Sequence, residues 1–384
     1  MNKKSFAFAI RQTIICLLVF AQISGVTVFA ADYDSVNSKY LSTGSYLSSL
    51  PAPTLGSIGG EWLALGLARS SFMSEQTAEA YYQNVVNTVK AIGKPQLHRA
   101  KSTENSRVVL ALTSIGKDVT NVAGYNLLEP LADFSFLKKQ GINGSVWALI
   151  AFDCNNYKIP DINYGKQVTR EALIDYILDA QLPDGGWSIA ETDPSADDMT
   201  AMAVQSLAPY YNILPDVRAA VNRALGLFPN MFKDSTPETC AQQMVALTSL
   251  GIDPQNESFL YGGKSVIDEM MRCSVNNGFS HFPGDEYDQM STEQAFYALT
   301  SVKRLHEKKT GLYDMTDVFA GSDDLYDVNL DAYFDINDCT AIQKQLARLD
   351  TLPLLGLKKS DANRDREIDI SDVTFLQKKL AKII

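Results

Sequence analysis

Histidine and tryptophan are scarce in this chain, three of each in 384 residues, and no Cys-x-x-Cys pair occurs. His98, His281 and His306 lie in unrelated stretches, which argues against a histidine-rich zinc centre, whose ligands come at short fixed spacings. Cys154, Cys240, Cys273 and Cys339 each stand alone in apolar or helical surroundings. That setting suits buried thiols more than a disulfide framework, although export would leave pairing open. β-branched alternation is nearly missing, so a large sheet is not expected. Positive charge is also in deficit. With 34 Lys and Arg against 45 Asp and Glu, the net charge is -11, and neither nucleic acid nor an anionic membrane is an expected partner.

Part of that acid is placed at a fixed spacing. Asp327 to Asp338 reads D-V-N-L-D-A-Y-F-D-I-N-D, and Asp361 to Asp372 reads D-A-N-R-D-R-E-I-D-I-S-D. Oxygen-bearing side chains fall at positions 1, 3, 5, 9 and 12: Asp327, Asn329, Asp331, Asp335 and Asp338, then Asp361, Asn363, Asp365, Asp369 and Asp372. A tight loop around one hard cation turns alternate side chains inward, adds a backbone carbonyl at position 7 and closes with a carboxylate at position 12. Tyr333 and Glu367 supply the carbonyls, and two calcium ions are the expected cofactors. Position 6 favours glycine but holds Ala332 and Arg366, so each must enter left-handed backbone at a cost of about 1 kcal/mol. Position 12 is Asp where the commonest loop has Glu.

The residues after each loop repeat at the same offset. Ile336, Cys339, Ile342 and Leu346 recur as Ile370, Val373, Leu376 and Leu380, the stripe of a helix with one apolar face. Two such loop-helix units are too small to hold a core singly and are expected to pack face to face. Residues 326–384 resemble a type I dockerin, a calcium-dependent module that docks secreted proteins onto a cohesin receptor. The resemblance implies receptor contacts at Ile336, Asn337, Gln343 and Lys344 in one copy and at Ile370, Ser371, Gln377 and Lys378 in the other. It also implies binding in two orientations, and attachment to a cell-surface or cellulosome-type assembly.

At the amino end Lys3, Lys4 and Arg11 precede an apolar run, and Val28-Phe29-Ala30 is a small-residue cleavage site. Residues 1–30 therefore read as a secretory signal, no membrane span remains after its removal, and the protein is expected outside the cell. Residues 31–58 and 316–325 read as linkers. Between them, apolar helix candidates begin near Glu61, Glu104, Gly144, Asp198, Glu238 and Glu293, separated by amphipathic helices. Inner and outer helices alternating at roughly 40 to 55 residues predict an all-α fold, an α/α toroid over 59–315. Gln181-Leu182-Pro183-Asp184-Gly185-Gly186-Trp187 fits a Q-x-x-x-G-x-W turn, with Asn276-Asn277-Gly278-Phe279 equivalent in a later repeat. These turns resemble those of the terpenoid cyclase and prenyltransferase toroids, and 59–315 is similar to prenyltransferase/squalene oxidase repeat proteins.

Ser195-Ala196-Asp197-Asp198 and Ser235-Thr236-Pro237-Glu238 have capping-box spacing, which alone accounts for an acid at a helix start. In a toroid, however, all inner helix starts meet at one rim. Glu61, Glu104, Asp197, Asp198, Glu238 and Glu293 are then expected to line an acidic mouth. The chemistry of the resembling families is not expected to carry over: Ser195 to Met199 lacks the first Asp and the Thr of the cyclase acid motif, and no Asp-Cys-His zinc set appears. The expected function is therefore an exported assembly component whose toroid binds a polysaccharide, a small molecule or a partner protein. The alternative is a glycoside hydrolase or lyase of polysaccharide degradation, with Asp197, Asp198, Glu238, Glu104 and Glu293 as candidate catalytic acids. Trp62, Trp147 and Trp187 are read as core.

Overall fold

A computed structural model describes residues 33–189, 194–319 and 322–384; the signal expected over 1–30 lies outside them. In chain order the principal elements are α1 (Tyr33–Ser48), α2 (Glu61–Ser70), α3 (Glu75–Ile92), α4 (Ser102–Ser114), α5 (Ile142–Asp153), α6 (Arg170–Asp179), α7 (Asp197–Leu207) and α8 (Pro215–Leu225). There follow α9 (Pro237–Ser249), α10 (Val266–Met271), β1 (Ser274–Val275), β2 (Gly278–Ser280), β3 (Tyr287–Asp288), α11 (Gln289–His306), α12 (Ile336–Leu346), α13 (Leu354–Lys359) and α14 (Ile370–Leu380). No described helix is long and apolar enough to cross a membrane.

The α5 sequence Ile142 to Asp153 has no polar face, and a helix apolar all round must be enclosed; nearly all of it is buried. Helices α2, α4, α7, α9 and α11 carry more polar residues yet are also buried over most of their length. Each of these packs on the next in the order α2, α4, α5, α7, α9, α11, and α11 packs back on α2. Six inner helices thus close a ring, the arrangement of an α/α toroid. The outer helices bury one stripe only. On α8 this is Val217, Ala220, Val221 and Ala224, with Pro215 at the first turn, where its missing N–H costs nothing.

The two glycine turns are built alike. The Trp187 N–H donates to Thr200 Oγ1 (2.9 Å), whose hydroxyl returns to the Trp187 carbonyl (3.2 Å). Phe279 and Thr292 repeat both bonds at 2.9 and 3.2 Å. A Cβ on Gly186 would meet Thr200 Oγ1 at 2.7 Å, and one on Gly278 would meet Thr292 Oγ1 at 2.6 Å. Glycine is needed here for close approach of turn to helix. Around the second turn β1, β2 and β3 form a small antiparallel sheet, too short for the alternation that marks a strand in sequence.

Two stretches read as linkers are packed. Helix α1 lies against α11 and α2, with Tyr40 stacked on Phe296 at 5.5 Å and Thr43 and Leu47 buried. Its stripe is narrow, and its many Ser and Asn residues hide it. In 316–325, Asp317 bridges Arg69 (2.8 Å) and Arg304 (2.6 Å) at the ends of α2 and α11. Burial alone would raise the Asp317 pKa, but the two guanidinium groups hold it below the usual carboxylate range.

The C-terminal module has its own small core of Val328, Cys339, Ile342, Val373 and Leu376, with α12 packed on α14. All four cysteines of the described residues are free and buried. The module rests on the ring through Leu354, which joins the ring's core, and through specific polar contacts. Arg366 Nη1 donates to the Leu250 carbonyl (3.1 Å), Asn212 Nδ2 to the Arg366 carbonyl (2.9 Å), and Lys358 Nζ to the Asp153 carbonyl (2.7 Å). Asp153 ends α5 and Leu250 follows α9, so two cations meet helix C-termini, where carbonyls lack partners and the dipole is negative. Gly251, at φ 76°, lies so close that a Cβ there would overlap Arg366 Nη1.

Candidate functional site

A cavity of about 270 Å³ opens at the N-terminal end of the ring. Five inner helices each supply a pair of residues four apart: Thr103 and Arg107, Asn143 and Trp147, Asp198 and Met202, Glu238 and Gln242, Met290 and Gln294. Residues so spaced share one helix face, here the face turned to the ring axis. Thr239 of α9 and Trp62 of α2 complete the wall, the Trp62 ring lying 5.2 Å from Trp147 and 5.5 Å from Tyr297. Trp62 and Trp147 are thus nearly buried, as read, yet form the apolar side of a cavity. Trp187 is wholly core, its Nε1 donating to the Ile177 carbonyl.

The acids expected at the mouth divide by role. Glu293 is buried and tied to the turn before α2, accepting from the Gly59 N–H (2.9 and 3.2 Å) and from Gln289 Nε2 (2.8 Å). Burial nevertheless pushes its carboxyl up to about 7. Glu61 accepts from the Gly56 N–H and from Arg107 Nε (3.2 Å); burial raises its pKa as well, against the pull of Arg107. Glu104 holds the other side of Arg107. Asp197 is half-buried, raised by burial and by neighbouring Asp198, and does not line the cavity. Only Asp198, at the exposed rim, and Glu238 do so.

Neither of these two caps its helix in the expected way. The cap of α7 is Ala196, with no side-chain bond, and Asp198 Oδ1 accepts from the Met199 N–H (2.7 Å). The cap of α9 is Thr236, which bonds the Thr239 N–H, so Glu238 lies one residue short of the box partner. Its Oε1 accepts from Ser291 Oγ (2.6 Å) and meets His281 Nδ1 (3.2 Å), while Oε2 is buried without a partner, as is Asn143 Oδ1. Arg107, Asn143, Gln242 and Gln294 were not singled out in the sequence. A step of four residues from Thr103, Glu238 and Met290 reaches Arg107, Gln242 and Gln294, while Asn143 stands four before Trp147.

In the C-terminal module each acidic turn folds the same way. Leu330 and Ala332 take φ of 62° and 72°, and Arg364 and Arg366 take 64° and 74°, so positions 4 and 6 carry the left-handed backbone twice. The carboxylate of Asp327 accepts from the N–H groups of Asp331 and Ala332, and Asp361 accepts from that of Arg366. Position 12 closes each turn: Asp338 accepts from Val328, Asn329 and Asp335, and Asp372 from Asn363 and Asp369. Among the described residues no group of three or more His, Cys, Asp and Glu is drawn together for a metal. The donor set nonetheless fits a hard cation, being oxygen only. Asp361 Oδ1 is buried without a partner, and burial with neighbouring Asp372 pushes that carboxyl up to about 6. Of the residues expected to meet a receptor, Ile336, Asn337, Gln343, Lys344, Ile370, Gln377 and Lys378 are exposed and Ser371 is half-buried.

No family model matches the chain, and no curated protein matches it. A solved structure of Candida albicans protein geranylgeranyltransferase-I complexed with GGPP is similar at 15% identity and a TM-score of 0.47, over 72% of this chain and 94% of that one.

Proposed function

We propose that this protein is an exported assembly component, with a C-terminal dockerin that binds two calcium ions and a cohesin, and a ring that binds a small ligand. The observation that carries the reading is the paired geometry of the two turns. Positions 4 and 6 carry the same uncommon backbone in both copies, and each following helix starts with an Asp-to-Asp capping box. Asp327, Asn329, Asp331, Asp335, Asp338 and the Tyr333 carbonyl would hold one ion. Asp361, Asn363, Asp365, Asp369, Asp372 and the Glu367 carbonyl would hold the other. Calcium supplies neutralising charge to these carboxylates and fixes the turns from which α12 and α14 start. The large apolar side chains at those helix starts, Ile336 and Ile370, are 58% and 61% exposed, which suits a pair of receptor contacts.

At about 270 Å³ the cavity lies just below the roughly 300 to 1,000 Å³ of small-molecule pockets. It suits a compact ligand and not a polysaccharide chain. Hydrolysis at Asp198 and Glu238 is the second reading, favoured because both line one cavity; it predicts sugar release that Asp198→Asn and Glu238→Gln abolish. The primary reading is tested by calcium titration of the full chain and capture on a panel of cohesins. Two ions per chain and capture lost in chelator are expected, with the double variant Asp327→Ala, Asp361→Ala losing both while keeping its helical signal. Absence of calcium binding at millimolar ion, or capture unaffected by chelator, overturns it.

A further inference from the structure

We propose that the ring cavity takes a ligand presenting a protonated nitrogen, a primary ammonium, to Glu238 and against Trp62 and Trp147. The inference rests on the ring being a ligand-binding site and adds the chemical class of the ligand.

Charge comes first. The cation in the cavity wall, Arg107, is already held by Glu61 and Glu104, which leaves Asp198 and Glu238 unmatched by any lysine or arginine of the wall. Helix N-termini carry partial positive charge that attracts anions. Here four of the six inner helices answer it with acids in the first turn, Glu61, Glu104, Asp197 with Asp198, and Glu238. An incoming anion would meet carboxylates.

Hydrogen bonding gives the same sign. Ser291 and His281 both engage Oε1 of Glu238, and the buried Oε2 has nothing. Asn143 Oδ1, also on the wall, is likewise buried and unmet. Both are acceptors, which a ligand's donors reach once the Glu238 and Asn143 side chains turn into the cavity; buried acceptors without partners are uncommon in folded proteins. A hydroxyl could donate, but an ammonium donates and also neutralises the unmatched carboxylates. The tryptophan pair adds the third element, because indole faces attract cations. Free amines, amino sugars and lysine side chains share this chemistry.

The three tryptophans of the chain make the test direct, since two line the cavity and Trp187 is wholly buried. Intrinsic fluorescence of the full chain is titrated with n-butylammonium, n-butanol and butyrate. A saturable change with butylammonium is expected, at least tenfold tighter than with butanol, and none with butyrate. Glu238→Gln is expected to weaken it tenfold or more and Asp198→Asn severalfold, each with unchanged helical circular dichroism. If Glu238→Gln does not fold, Asp198→Asn at the exposed rim carries the test. Butanol or butyrate binding as tightly, or folded variants with full affinity, overturns the assignment while leaving ligand binding in place. Silence toward these three probes and toward glucose, titrated as a neutral sugar, overturns ligand binding as well. Glucosamine against Nα-acetyl-lysine amide, which keeps its side-chain ammonium, then separates sugar from peptide as the source.

Discussion

Glu293 shows what a helix-start acid does when the ring closes over it. Its carboxyl is pushed up to about 7 by burial, although Gln289 and the Gly59 N–H both favour the charged form. The folded state therefore holds a proton that the unfolded chain, near 4.5, releases earlier. Stability from this group is complete below about pH 4.5 and is lost as pH rises to 7, by roughly 2 to 3 kcal/mol. Glu293→Gln is expected to lose less stability than wild type between pH 5 and 7.5, measured by denaturant unfolding with calcium present. Equal slopes would refute the assignment. The sequence shows that acids stand at these starts, but not which of them are consumed in closing the ring. That depends on whether Gly59 or the cavity faces the side chain, a matter of tertiary packing.

At the scale of elements, the turn before α7 and the turn before α11 are one device used twice. Each threonine satisfies a buried backbone N–H and adds a bond to the carbonyl of the same residue. Thr200→Val and Thr292→Val are each expected to cost about 1 to 3 kcal/mol, and the double variant close to the sum, the sites lying in separate repeats. Urea unfolding checks this; a loss below about 0.5 kcal/mol in either single variant would contradict it. Elements of this kind were legible because their cause is local. Helix α5 declares itself by lacking a polar face, the other inner helices by their runs of small and apolar residues, and Gln181 to Trp187 by its glycines. Helix α1 was not legible: Tyr40, Thr43 and Leu47 make a stripe too thin to stand out from Ser and Asn. Its burial depends on Phe296, far along the chain. Strands of two or three residues carry no period to read.

For the whole molecule, the decisive contacts are those that hold the C-terminal module on the ring. Arg366 serves two structures at once, standing at position 6 of an acidic turn and donating to the carbonyl that follows α9. Lys358 is enclosed, its pKa lowered by burial and partly restored by Asp153. Removing both, as Arg366→Ala with Lys358→Ala, is expected to free the module and raise the radius of gyration in solution scattering, with the ring's thermal midpoint shifted by only a few degrees. An unchanged scattering curve would show that other contacts suffice. Nothing in the sequence announced this seam, since Arg366 reads as a poor fit to its turn and Lys358 as a surface lysine.

Because these cations grip the carboxyl ends of α5 and α9 while the cavity lies at the amino ends, the seam with the C-terminal module and the cavity opening lie at opposite ends of the ring. A chain moored by its tail would hold its opening toward the surrounding medium, as a cup stands on its base.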